Sequence, residues 1–128
     1  MRQFRTSDLP KVMQIERRAF PDAWDENWFM YFYEVNPSGF VVAVAGREKV
    51  VGYALVDIEG EGEEAWLSTE PGELTPARGH LLNIAVDDEW RKKGIGGLLL
   101  DAVMSYFSER GVNEIWLEVQ VNNRDAIR

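Results

Sequence analysis

The 128-residue chain contains no cysteine and a single histidine. The first absence excludes disulfides, thiolate metal sites and a cysteine nucleophile, and the second leaves no pair of imidazoles for a metal centre. Cations are outnumbered: 14 Lys and Arg face 22 Asp and Glu, a formal net charge of -8. A general nucleic-acid binder carries the opposite balance. No apolar run approaches the ~20 residues that a membrane span requires. The N-terminus "MRQFRTSDLP" has no apolar core of the signal-peptide kind. The expectation is therefore a cytoplasmic protein with no metal, no membrane and no direct nucleic-acid partner.

What is present suits one folded domain over 1–128. Hydrophobic residues make up 45% of the chain, and five Trp, six Phe and four Tyr can fill its core. "MRQF" reads as a short first strand. Ser7 is the expected N-cap of a helix running to about Phe20, with Pro10 in its first turn. Leu9, Val12, Met13, Ile15 and Ala19 form its apolar stripe. Asp25 is placed to cap a second helix, "ENWFMYFYEV", which stops at Asn36-Pro37. That helix is aromatic on most sides, so it is either buried or lines a groove.

The period then shortens. "GFVVAVAG" and "KVVGYALVDI" are β-rich and meet at Arg47-Glu48, the spacing of a hairpin. Residues 59 to 78 read as an acidic loop. "GHLLNIAVD" is nearly all apolar, as in a strand covered on both faces. Gly94 to Arg110 is an amphipathic helix closed by Gly111. In "NEIWLEVQV", Ile115, Leu117, Val119 and Val121 alternate with Trp116, Glu118 and Gln120, which marks a strand. "NNRDAIR" opens another helix. The order β-α-α-β-β-β-α-β-α is that of a mixed α/β domain. Strand, helix and strand from 79 to 121 form a right-handed βαβ unit with parallel strands.

Within that unit lies Arg91-Lys92-Lys93-Gly94-Ile95-Gly96-Gly97, between a strand and a helix. Such a junction presents unpaired backbone N–H groups and the positive end of the helix dipole. Glycines let a ligand approach the backbone, and the cations add charge, so strand, cations, glycines and helix in this order spell a phosphate site. The ordinary alternative is a tight turn with solvated cations. A Walker loop is absent from the sequence, and Leu99 stands where a dinucleotide fingerprint needs its third glycine.

The stretch Arg91-Lys92-Lys93-Gly94-Ile95-Gly96 resembles the acetyl-CoA loop of the GCN5-related N-acetyltransferase (GNAT) superfamily, [Q/R]-x-x-G-x-[G/A]. "LLNIAVDDEWRKKGIGGLLLDAV" with "IWLEVQVNNRDAI" is similar to the ribosomal-protein alanine acetyltransferases, the RimI type, and "GHLLNIAV" to the Ard1-type N-terminal acetyltransferases. The resemblance implies the GNAT acyl-CoA N-acyltransferase fold, a central mixed sheet with splayed parallel strands flanked by helices. It implies acetyl-CoA as cofactor. Backbone groups of Ile84, Ala85 and Val86 would meet the pantetheine, Arg91 would lead the loop, and Lys92, Lys93, Gly94, Ile95, Gly96 and Gly97 would wrap the pyrophosphate. Asn123 would contact the cofactor as well.

Acetyl transfer needs a neutral amine, a stabilised oxyanion and a protonated leaving thiolate. A terminal amine titrates near pH ~8, so a modest base suffices. Glu118 matches the glutamate that RimI-type enzymes use as base, though it would equally suit an outward-facing strand position. His80, the one histidine, stands where the Ard1 type also has one and would relay a proton, unless it is structural. "FPDAWDENWF" corresponds to the family's acceptor loop, with Asp22 and Trp24 as substrate contacts. Asp22 is one methylene shorter than the glutamate the Ard1 type carries there. The acidic side chains Glu59, Glu61, Glu63, Glu64, Glu70 and Glu73 would steer a cationic substrate or form a solvated loop.

The family places a tyrosine about a dozen residues after the glutamate, followed by a further helix and strands. This chain ends at Arg128, so the resemblance implies that the last helix and strands are missing and that the exposed edge is open to a homodimer. The expected acceptor is the N-terminal α-amine of a protein. The alternatives are a small amine or a lysine side chain, or a catalytically impaired CoA-binding module.

Overall fold

The computed structural model describes residues 1–59, 78–112 and 114–117, with the side chains of Glu59 and Leu117 left aside. β1 (Arg2–Gln3) leads through a 3-10 turn at Thr6–Asp8 into α1 (Leu9–Ala19). α2 (Glu26–Val35) follows, then β2 (Phe40–Ala45), β3 (Lys49–Glu59), β4 (Arg78–Val86), α3 (Ile95–Glu109) and β5 (Glu114–Leu117). The strands form one sheet in the order β1-β2-β3-β4-β5. The first three pairings are antiparallel, and β4 pairs with β5 in parallel, as the βαβ spacing predicts.

Local chemistry explains the boundaries. Asp25 accepts from the Asn27 N–H at 2.7 Å and starts α2, as expected. Ser7 is not the cap of α1. Its start is organised one turn earlier, where the Asp8 carboxylate accepts from the Arg5 N–H at 2.8 Å and is gripped by the two terminal nitrogens of the Arg2 guanidinium at 2.8 Å. A carboxylate already held by an arginine outcompetes a neutral hydroxyl for that role. The β2–β3 hairpin turns through positive φ at Gly46 and Glu48. α3 closes in a Schellman motif: the Val112 N–H reaches Phe107 O at 3.0 Å and the Gly111 N–H reaches Ser108 O at 3.2 Å, with Gly111 at φ 68°. Glu59 and Arg78, read as loop ends from the sequence, pair with each other at the ends of β3 and β4. Residues 60–77 and the helix expected after the last strand lie outside the described residues.

The sheet separates two cores. On one face, Val12, Met13 and Ile15 of α1 and Phe29 of α2 pack with Phe4, Phe40 and Tyr53. On the other, Leu99, Val103 and Phe107 of α3 cover Val51, Ala54, Val56 and Leu81. Spacing of four along α3 is what turns those three residues to one side. α2 buries fully only Phe29 and leaves Trp28 and Tyr31 more than half exposed, so of the two readings of this aromatic helix the buried one fails. Among the described residues, no helix is long and apolar enough to cross a membrane, and no cluster of side chains is arranged to hold a metal ion.

Candidate active site

The cationic, glycine-rich stretch folds as its composition requires. β4 ends at Val86, Asp88–Trp90 make a short 3-10 turn capped by Asp87, and α3 begins at Ile95. Gly94 caps the helix in the left-handed conformation at φ 81°, and Lys92 also has positive φ at 63°. The first intrahelical bond is from the Leu98 N–H to Gly94 O at 3.1 Å. The N–H groups of Ile95, Gly96 and Gly97 therefore precede the helical ladder, at the positive end of its dipole. A Cβ built on Gly94 or Gly97 meets nothing within 4 Å, and one on Gly96 meets only the Val86 methyl at 4.0 Å. The backbone is thus open to a ligand of phosphate size. This fits an anion held by main-chain groups.

The cations do not all face that opening. Arg91 pairs with Asp88 at 3.1 Å and donates to Val86 O at 3.4 Å, which pins the turn to the end of β4. Lys93 lies over the Trp90 ring at 5.1 Å, with Lys49 near the same ring at 5.6 Å. Lys92 is exposed. α1 also holds the end of β4, since Lys11 donates to the Asp87 carboxylate at 2.9 Å. Burial alone would raise the Asp87 carboxyl, but the Lys11 bond, the Glu89 N–H and the charges of Lys11 and Arg18 outweigh it and hold it below its ordinary range.

β4 carries a bulge where it matters. Leu55 pairs with Asn83 and Val56 with Leu81, so Leu82 has no opposite residue on β3. β5 pairs with β4 from Arg78 to Leu81. Ile84, Ala85 and Val86 lie beyond that pairing and, among the described residues, pair with β3 alone of the strands. Ile84 and Ala85 are buried and Val86 is partly so. The two parallel strands, expected to splay apart, are still paired at Leu81 and Leu117, and Glu118 and Asn123 lie outside the described residues. The carboxylates at 61–73 lie outside them too.

His80 sits at the start of β4, half-buried, opposite Trp116 of β5 and Asp57 of β3. Its ring centre is 6.2 Å from that of Trp116, which is itself 45% exposed and lies beneath the Arg78 guanidinium at 5.4 Å. Asp22 is exposed in the α1–α2 connection. Trp24 is half-buried there against Phe29 and Phe32, with ring centres 5.5 and 5.9 Å away. The structure thus brings the loop at 91–97 together with 84–86, and His80 with Trp116.

The sequence reading missed a buried polar cluster between these groups. Glu16 of α1 is fully buried. Its Oε1 accepts from the Tyr53 hydroxyl at 2.9 Å and from Asn83 Nδ2 at 2.8 Å. Its Oε2 accepts from Asn83 Nδ2 at 3.0 Å and from the Trp24 N–H at 3.3 Å. Burial raises the Glu16 carboxyl above its ordinary range, and the bonds from Asn83, Tyr53 and Trp24 pull it back only in part. Burial and the Glu16 charge and hydrogen bond together push the Tyr53 hydroxyl well up. The signal was legible: residue 16 falls on the stripe defined by Val12, Met13 and Ala19, at helical spacings of three and four. A carboxylate on an apolar stripe needs buried donors.

Known proteins resemble this chain in sequence and fold. The family described as the acetyltransferase (GNAT) family matches residues 9–128. An N-alpha-acetyltransferase of Saccharolobus solfataricus is 32% identical over 130 residues, covering 99% of this chain and 74% of that protein. The [ribosomal protein bS18]-alanine N-acetyltransferase of Salmonella typhimurium is 30% identical over 122 residues, 95% of this chain and 70% of its own length. The crystal structure of Arabidopsis thaliana NAA60 in complex with acetyl-CoA superposes with a TM-score of 0.73 at 25% identity, over 99% of this chain and 80% of that one. An open glycine backbone at a strand-to-helix turn, in a mixed sheet that these enzymes share along nearly the whole sequence, leaves one assignment: the chain belongs to the acetyltransferase (GNAT) family and is an N-acetyltransferase.

Proposed function

We propose that the chain transfers acetyl from acetyl-CoA to the N-terminal α-amine of a protein. The observation that carries the donor half is the turn at 92–97. Its left-handed Gly94 aims the N–H groups of Ile95, Gly96 and Gly97 out of the start of α3, where the donor pyrophosphate would be held. Ile84, Ala85 and Val86 would present backbone groups to the pantetheine and thioester. Asn123 would add a contact farther along. The names of the relatives support the acceptor half, since they are an N-alpha-acetyltransferase and a [ribosomal protein bS18]-alanine N-acetyltransferase.

The chemistry is direct attack. The neutral amine nitrogen bonds to the thioester carbonyl carbon, the C–S bond breaks, and the CoA thiolate leaves and takes up a proton. Glu118 would accept the proton lost by the amine. By the alternation read in the sequence it would share a side with Trp116, the neighbour of His80. His80 would pass protons to solvent from that side. Asp22 and Trp24 would contact the acceptor from the α1–α2 connection.

The test pairs turnover with binding. Glu118→Gln should lower kcat on an alanine-started peptide by roughly 100- to 10,000-fold, the usual contribution of a general base. Its affinity for acetyl-CoA in a calorimetric titration should stay within twofold. Unchanged turnover would remove Glu118 from the role of base. A wild-type chain that binds acetyl-CoA and acetylates lysine side chains but no α-amine would overturn the acceptor assignment.

A further inference from the structure

The Glu16 cluster joins three elements that have no other reason to meet through one side chain. Trp24 belongs to the α1–α2 connection, proposed above to hold the acceptor. Asn83 lies at the bulge of β4, one residue before the backbone proposed to hold the acetyl donor. Tyr53 belongs to β3, two pairings from the bulge. A carboxylate at zero exposure, reached by donors from all three, sets their mutual distances. Simple core stability does not account for it. Asn83 is 1% exposed, and among the described residues its carbonyl oxygen has no hydrogen-bond partner. A buried unpaired acceptor destabilises a fold, and an apolar trio of similar volume would avoid the defect. Such a cluster is explained by what it aligns.

We infer that Glu16 is a positioning residue for acetyl transfer, fixing the acceptor connection at Trp24 relative to the β4 bulge at Asn83. It touches neither substrate. It acts through the Trp24 main chain and the Asn83 side chain. The inference rests on the acceptor reading of residues 20–29 given above, and it assigns to that loop a buried anchor on α1. The open turn at 92–97 makes no hydrogen bond with Glu16, and Ile84 to Val86 are held by their own pairing with β3, so the anchor bears on one substrate and not on the other.

The experiment uses the full chain with Glu16→Gln and Glu16→Asp. Gln keeps the volume but replaces one acceptor oxygen with a donor, so it cannot accept from Asn83, Tyr53 and Trp24 together. Asp keeps the charge and shortens the arm by one methylene. Steady-state kinetics with acetyl-CoA and an alanine-started peptide should show the peptide KM raised at least tenfold in Glu16→Gln. The acetyl-CoA KM should stay within twofold, and Glu16→Asp should fall between the wild type and Glu16→Gln. Peptide and acetyl-CoA KM rising together, or neither rising, would overturn the inference. Amide hydrogen exchange read residue by residue supplies a measure that needs no acceptor. The Trp24 N–H should exchange at least tenfold faster in Glu16→Asp, while the Leu98 N–H at the start of α3 keeps its wild-type rate. Equal acceleration of both would mean general loosening and refute the inference. If the wild-type chain does not acetylate the peptide, the acceptor reading fails, while the exchange result still decides whether Glu16 anchors the connection.

Discussion

Replacing Gly97 by alanine should make the chain more stable and a worse binder of acetyl-CoA. Gly97 is exposed in the first turn of α3, its φ lies outside the left-handed region, and a Cβ built on it meets nothing within 4 Å. Alanine is favoured over glycine inside a helix by roughly 0.5–1 kcal/mol, through the backbone freedom that glycine loses on folding. The first turn realises the lower part of that range, so about 0.5 kcal/mol and a rise in Tm of roughly 1–3 °C are expected. The same empty space is where the donor pyrophosphate is placed. A methyl group there holds the phosphate off the N–H groups of the turn. Loss of one hydrogen bond to a charged group amounts to roughly 1.5–3 kcal/mol. Kd should therefore rise about 10- to 100-fold. Thermal unfolding without ligand and calorimetric titration with acetyl-CoA at fixed salt read the two effects separately. A higher Tm with an unchanged Kd would refute the seating of the phosphates on this backbone. A lower Tm would refute the claim that the space is open.

Four further outcomes follow from the packing and charges. Gly79→Ala puts a Cβ 2.6 Å from the Phe107 ring, so chemical denaturation should show a loss of about 1–3 kcal/mol from overpacking; Phe107→Leu in the same chain should recover part of it, and strictly additive costs would refute the contact. Asp25→Ala removes the acceptor of the Asn27 N–H and should cost about 1 kcal/mol, seen as a lower midpoint in a circular-dichroism melt. The Arg2 hydrogen bond holds the Asp8 carboxyl below its ordinary range, more than offsetting burial. Asp8 thus contributes stability that is present above the unfolded aspartate pKa and lost as pH falls through the lower folded value, so Asp8→Asn should flatten the acid limb of a stability–pH curve. Glu16 has the opposite sign: its raised carboxyl contributes below the unfolded glutamate pKa, and that contribution is lost as pH rises through the folded value, a slope that Glu16→Gln should remove.

Much of this fold was legible because its signals are local. The Asp25 cap, the hairpin at residues 46–48 and the Gly111 closure each depend on one or two residues whose conformational preferences dominate their surroundings. The phosphate turn was legible for the same reason, since glycine, cation and helix start are consecutive. Which cations would face a ligand was not legible. Arg91 and Lys93 have partners in Asp88 and Trp90, and those contacts depend on how the 3-10 turn at Asp88–Trp90 places them. The start of α1 was misread because Arg2 and Asp8 meet only after β1 has joined the sheet.

The Glu16 cluster is the instructive case, because half of it was visible. Helical spacing places residue 16 among Val12, Met13 and Ala19, and a carboxylate in that position requires buried donors. Nothing in the sequence says where they come from. Two of the donors, Tyr53 and Asn83, are 37 and 67 residues away along the chain, and a third is a backbone N–H that no side-chain pattern reveals. The bulge at Leu82 is part of the same problem. By strict alternation Leu81, Asn83 and Ala85 would face one way, yet Leu81 packs in the core beneath α3 while Asn83 reaches α1 and Ala85 packs with the core beside it. One extra residue in β4 therefore turns Asn83 towards α1, and in doing so shifts the facing of Ile84 and Val86, the residues placed nearest the acetyl group. The polar anchor and the donor-binding strand are consequences of a single irregularity, so removing the bulge by deleting Leu82 should be felt at both substrates, whereas a change at Glu16, which leaves the pairing of Ile84 to Val86 with β3 in place, should be felt at the acceptor alone.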